Sequence, residues 1–175
     1  MTKTLNLFTA ITLVATVSLL VGYLWTFNAV LFPLVITFGT ISYHLVMRLL
    51  VGLAYEQTMH NRADYTKSRW LVTSRELRLY ERLYIKRWKA KMPTYRSSLF
   101  DRTRHSWEEI VQAMCQAERV HETIAVLSFL PIAAGMWFGS FPVFIITSVL
   151  AALVDMTFAI VQRYNRGRIL RMMRR

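Results

Sequence analysis

Between Lys3 and Arg48 the chain carries no Asp, Glu, Lys or Arg, and between Glu122 and Arg163 it carries only Asp155. Two long, nearly charge-free blocks on either side of a charged block point to an integral membrane protein. The hydrophobic fraction of 54% and a positive mean hydropathy of +0.31 agree with that reading for a chain of 175 residues. A spanning helix takes about 20 apolar residues at roughly 1.5 Å each, so each block is long enough for two. The first divides near Thr26–Pro33, predicting helices at about 5–25 and 29–54. The second divides at Phe138–Pro142, predicting helices at about 122–138 and 141–162, with Gly139 and Pro142 suited to the turn. The expected fold is all-α: a single polytopic membrane domain over 1–175, four transmembrane helices as two hairpins, with a cytoplasmic amphipathic helical cap at about 55–121.

Basic residues set the orientation. Of 22 Lys and Arg, 14 lie from Arg62 to Arg119, and six more lie from Arg163 to Arg175. Neither hairpin turn carries one. The positive-inside tendency is met everywhere at once if both termini and the central segment are cytoplasmic, which predicts a multi-pass protein of the cell membrane. A cleaved signal sequence at Met1–Phe8 and beyond is disfavoured, because no small-x-small site precedes the next span and an odd number of helices would remain. The net charge of +12 is explained by topology and anionic headgroups, so membrane lipids rather than nucleic acid are the expected partners. The single cysteine, Cys115, excludes an intramolecular disulfide and a cysteine-rich zinc site.

The central segment has helix signals of its own. Thr73 and Glu76 have capping-box spacing. Leu77, Tyr80, Tyr84 and Trp88 then recur every three or four residues among Arg75, Arg78, Arg82, Lys86, Lys89 and Lys91, predicting one amphipathic interfacial helix that Pro93 limits. It either seals the bundle or shares in lipid binding. Ser106 and Glu109 have the same spacing and open a second helix, with no Gly or Pro before Pro131, so it is expected to run on into the third span. Residues 94–104 show no periodicity and read as a loop.

Polar residues recur toward one end of the spans. His44 and Arg48 are four apart and share a helix face; either a hydrogen-bonded histidine and a snorkelling arginine, or a cavity, accounts for them. Glu118, His121 and Glu122 share another face, where a carboxylate can orient an imidazole, although such spacing is also common at helix ends. Asp155 lies about 12 Å along the helix from Arg163, and an ion pair with Arg48 is its natural structural explanation. The run Gln162, Arg163, Tyr164, Asn165, Arg166 supplies donors for a phosphate or sugar beyond what stop-transfer charge requires. Together these residues predict a polar cavity open to the cytoplasm. No P-loop, Rossmann glycine pattern, His-Glu-x-x-His or Gly-x-Ser-x-Gly motif is present, nor the His-x4-Asp of many glycerolipid acyltransferases. Gly135-x3-Gly139 offers a close helix contact.

Three stretches, "LYERLYIKRWKAKMP", "QAERVHE" and "QRYNRGR", resemble in this order the small membrane proteins of the glycosyl-4,4'-diaponeurosporenoate acyltransferase family, which act late in carotenoid biosynthesis. The resemblance rests on Trp88, Lys89 and Pro93, on Ala117, Glu118 and His121, and on Gln162 to Arg166. Gln116 and Gly167 stand where the family pattern holds Arg and Pro. The resemblance implies transfer of a fatty acyl group to a sugar hydroxyl on a lipid-linked acceptor, making a glycolipid product. On that basis His121, or alternatively His44, is the expected base, Glu118 its orienting carboxylate, and Arg48, Arg163 and Arg166 the anion holders. Trp88, Lys89, Asp155, Gln162, Tyr164 and Asn165 are expected at the substrate. The expected donor is acyl-CoA or a similar thioester, with no separate cofactor and no metal, since His44, His60, Glu118 and His121 lack tight ligand spacing. A homo-oligomer is allowed. The competing readings are a small intramembrane methyltransferase or other lipid-modifying transferase, which would bind adenosylmethionine, and a non-enzymatic scaffold, whose polar side chains would be paired off without a cavity.

Overall fold

The computed structural model describes residues 2–89, 92 and 97–174, without the side chains of Thr2, Trp88 and Ser97. Pro93, much of the loop expected at 94–104, and the Trp88 side chain therefore lie outside the described residues. The protein is 82% helical with no strand among the described residues. Among the described residues, seven α-helices follow one another: α1 Thr2–Thr26, α2 Leu31–Met59, α3 Ser74–Arg82, α4 Ile85–Trp88, α5 Trp107–Leu127, α6 Leu130–Phe138 and α7 Phe141–Met173. Among the described residues, four stretches are long and apolar enough to cross a membrane: Lys3–Thr26, Leu31–Met59, Trp107–Phe138 and Phe141–Met173. The four spans expected from the two apolar blocks are therefore present, with longer helical ends.

The chain divides into two compact units, residues 1–52 with 123–154, and residues 53–122 with 155–175. In the first unit the usual distribution of side chains is inverted. Leu7, Ile11, Val14, Val17, Val21 and Leu24 of α1 and Ile146, Leu150 and Leu153 of α7 are exposed, while Thr9, Thr40, Ser42, Ser128 and Ser148 are buried. Apolar outside and small polar inside is the pattern of helices solvated by lipid, where helix contacts depend on small residues and hydrogen bonds. Thr16 and Ser42 join α1 to α2 through their hydroxyls at 3.0 Å. Thr40 and Ser128 turn theirs back onto Ile36 and Ile124 carbonyls.

The third span is two helices, not one. α5 runs unbroken from Trp107 through His121, as expected, and stops at Leu127; Pro131 stands in the first turn of α6. Proline has no N–H to give the carbonyl four residues back, and its ring crowds that carbonyl. The carbonyl in question is that of Leu127, and the Tyr43 hydroxyl donates to it at 2.9 Å. A donor from α2 thus replaces the missing backbone bond, as an apolar surrounding requires. At the hairpin turn, Gly139 caps α6 in the left-handed conformation, φ 72°, its N–H bonded to the Gly135 carbonyl. Gly135 is needed for a different reason from the helix contact expected of it: a Cβ there would meet ring carbons of Phe141 at 2.7 and 2.8 Å.

The second unit is built on the far ends of α5 and α7 together with α3 and α4. Both capping boxes form. Thr73 Oγ1 accepts from the Glu76 N–H while the Glu76 carboxylate accepts from the Thr73 N–H, and Ser106 and Glu109 do the same. The single helix expected over 73–93 is broken. Tyr84 takes the left-handed conformation, φ 52°, and separates α3 from α4. At about 100° per residue, a straight helix would turn Tyr84 onto the face of Leu77 and Tyr80 and rotate Ile85 away. The break reverses this. Ile85 is wholly buried with Leu77, Tyr80, Val161 and Tyr164, and Tyr84 stands 63% exposed. Burying an aliphatic side chain of that size contributes about 1.5–3 kcal/mol, enough to offset one left-handed residue at about 1–2 kcal/mol. A second cluster joins Ile110, Val111 and Met114 of α5 to Ile169 of α7. The helix expected to stop near Gln162 continues to Met173 because its last turns are core of this unit.

Candidate active site

The second unit gathers most of the residues singled out in the sequence. α5 supplies Glu118 and His121, three apart, and α7 supplies Asp155, Phe158, Arg163 and Arg166. His121 Nδ1 lies 2.9 Å from Asp155 Oδ1. The imidazole also stacks on Phe158, with centroids 5.0 Å apart and planes at 15°. Asp155 and Phe158, one helical turn apart, therefore hold the ring by an edge and a face. The Asp155 side chain is 3% exposed and that of His121 23%. Nε2 has no hydrogen-bond partner among the described residues. An imidazole oriented through Nδ1 by a buried carboxylate, with Nε2 open, is the arrangement of a general base.

Glu118 has a different contact from the one expected. The structure gives the bond to His121 to Asp155, and gives Glu118 to two arginines. Arg163 Nη1 donates to Glu118 Oε1 at 2.9 Å, and Arg166 Nη1 donates to Oε2. Arg163 Nε also reaches Glu76 Oε1 at 3.0 Å, and Arg166 Nε reaches the Trp70 carbonyl at 3.1 Å. The Arg166 guanidinium lies 5.2 Å from the Trp70 ring centroid. Glu118 is 2% exposed and Arg166 fully buried. Two carboxylates answer two guanidiniums, so the cluster is internally neutral, and breaking such a pair strands a buried charge at a cost of about 3–5 kcal/mol. Arg163 and Arg166, expected to hold a donor's phosphates, are occupied in tying α7 to α5, α3 and the 3-10 turn Ser68–Trp70. Burial would raise the Glu76 carboxyl, but the Thr73 N–H and Arg163 outweigh it and hold it below the ordinary range.

Asn165 Oδ1 accepts from Lys89 Nζ. Lys89 also lies 5.1 Å from the Tyr164 ring centroid, and burial first, then Arg168 and Lys86, lowers its pKa. Tyr164 is 3% exposed. Gln162 is half-buried on α7. Glu122 pairs with Arg119 one turn away on the same helix, at 2.7 Å. His44, buried, and Arg48 belong to the first unit.

Gln116 and Gly167 have local roles. Gln116 Oε1 accepts from the Asn61 N–H at 2.7 Å, where His60 and Asn61 turn the chain through two left-handed residues after α2. Gly167 lies under Val72 and Leu77, where a Cβ would come within 3.1 Å of Val72 and 3.3 Å of Leu77. Sequence reasoning missed Phe158, Trp70 and Tyr43; Phe158 alone left a signal, one turn after Asp155 on a helix already inferred.

A comparison with known protein families finds a match to the CrtO family, described as glycosyl-4,4'-diaponeurosporenoate acyltransferase, over residues 61–175. The chain belongs to this family. The matched region holds Glu118, His121, Asp155 and the whole run from Gln162 to Arg166, whereas His44 and Arg48 precede it. No curated protein and no solved structure matches the chain. Membership of an acyltransferase family and four membrane-spanning-length helices together support a membrane transferase.

Proposed function

We propose that the protein is an integral-membrane acyltransferase of the cell membrane that moves a fatty acyl group from a thioester such as acyl-CoA to a hydroxyl of a lipid-linked sugar. His121 is the base. The observation that carries the assignment is the His121 Nδ1–Asp155 contact, with Nε2 open and the ring stacked on Phe158. His121 is preferred to His44 because only His121 falls within the family match.

The chemistry balances without a cofactor. Nε2 takes the proton of the acceptor hydroxyl as its oxygen attacks the thioester carbon. Asp155 stabilises the imidazolium that results. The tetrahedral intermediate collapses, the carbon–sulfur bond breaks, and the imidazolium returns the proton to the departing thiolate. Lys89, Gln162 and Asn165, with Trp88, contribute polar and aromatic contacts for the acceptor sugar. Arg163, Arg166 and Glu118 hold the frame. Both termini and the charged segment face the cytoplasm, where a soluble donor meets a membrane-borne acceptor. The acceptor is a glycosylated lipid of the carotenoid-like type in the family description.

Lipid extracts of a deletion strain, complemented with the wild type or with His121→Ala, test the reading. The expected result is an acylated glycolipid present with the wild type, missing from the deletion and missing from the His121→Ala strain at equal protein level. An unchanged glycolipid profile in all three strains would sink it.

A further inference from the structure

Of the three arginines first expected to hold an anionic ligand, Arg163 and Arg166 are engaged with Glu118, and other cations of the second unit line a cavity. A cavity of about 340 Å³ in the second unit is lined by Glu81, Tyr84, Lys86, Arg87, Tyr164 and Arg168. Cavities that hold small molecules begin at about this size. Lys86, Arg87 and Arg168 are in no ion pair among the described residues; the wall carries three positive charges against the one of Glu81. The cations are arranged around aromatic rings. The Arg87 guanidinium is 5.8 Å from the Tyr84 ring centroid, and Arg168 is 5.8 Å from that of Tyr164. Repulsion from Arg168 and Lys86 reaches Lys89 and, after burial, lowers its pKa, so the cluster is crowded with like charge that an anion would relieve.

The backbone contributes as well. Tyr84 is held in the left-handed region, where a bulky residue is uncommon. That conformation sets its ring on the cavity wall at 63% exposure instead of in the core. A flat ring beside a group of cations suits a ligand that joins a purine to phosphates.

We infer that this cavity binds the phosphate-bearing nucleotide end of a CoA-type acyl donor. The inference rests on the thioester donor proposed above and adds the place where its charged end is held. A phosphate on a lipid headgroup carries the same chemistry, and the test separates the two sources.

The test is calorimetric titration of the full-length protein, in phosphatidylcholine nanodiscs, with free CoA, with pantetheine, which lacks phosphate, and with CoA after phosphatidylglycerol is added to the discs. CoA is expected to bind, more weakly as salt rises, and pantetheine not to bind. The triple variant Lys86→Gln, Arg87→Gln, Arg168→Gln should bind CoA at least about tenfold more weakly, since each charge-assisted contact is worth about that factor. These three side chains are exposed. Glu81→Gln, which removes the one opposing charge, should bind CoA more tightly, a gain that misfolding cannot imitate. Equal CoA binding by the wild type and the triple variant overturns the proposal. So does complete displacement of CoA by phosphatidylglycerol, which assigns the cavity to lipid headgroups. His121→Ala should retain CoA binding, so acyl transfer that persists in this variant with intact CoA binding counts against the base assignment and leaves this site standing.

Discussion

At the scale of single residues, His121 and Asp155 do what neither does alone. An imidazole 23% exposed can meet substrate, and a carboxylate 3% exposed can hold one tautomer with its proton on Nδ1. Asp155→Asn removes the charge while keeping the shape, and an amide can donate to Nδ1 and favour the wrong tautomer. Initial acyl-transfer rates should fall by about 10²–10⁴-fold with the variant still extracted and folded like the wild type. A rate within twofold of the wild type would show that Asp155 does not orient the base. The sequence marked both residues, Asp155 as the only charge in its block and His121 by its spacing from Glu118. It could not pair them, because the contact spans 34 positions and depends on how α5 and α7 are rotated. Local spacing favoured Glu118 as the partner of His121. Two arginines, Arg166 fully buried and Arg163 partly so, compete for that carboxylate, and charge beats proximity along the helix.

At the scale of elements, local signals were legible wherever the chemistry was local. Both capping boxes form, since a hydroxyl and a carboxylate three residues apart need no tertiary help. The Tyr84 break was hidden, because it depends on which of two neighbouring apolar residues the core accepts. The division at Leu127, which the expected third span lacked, is set by Pro131, and the donor that makes it tolerable, the Tyr43 hydroxyl, comes from another helix. Glu76 ties α3 to the rest by capping the helix and pairing with Arg163. Its pKa is depressed in the fold, so its contribution is present above its unfolded value near 4.5 and is lost as pH falls through the lower folded value. Glu76→Gln can keep the cap but loses the charge. The unfolding midpoint of the wild type should drop more steeply than that of Glu76→Gln as pH is lowered from about 5 to 3, read by circular dichroism in detergent. Parallel curves would mean that the ion pair adds nothing.

At the scale of the whole molecule, the spans could be read from charge alone, since a lipid surrounding admits few polar groups. That the last turns of α7 fold with the charged middle of the chain could not, because the arginines there look like a border until their carboxylates are located. The central claim is that this membrane protein transfers an acyl group with His121 as base. Its most direct measurement is transfer of a radiolabelled acyl chain from acyl-CoA to a glycosylated lipid by the purified protein in nanodiscs, for the wild type and His121→Ala side by side. The account predicts labelled glycolipid from the wild type and, with the variant equally helical, a rate lower by about 10²-fold or more. Equal labelling by the two proteins would contradict it.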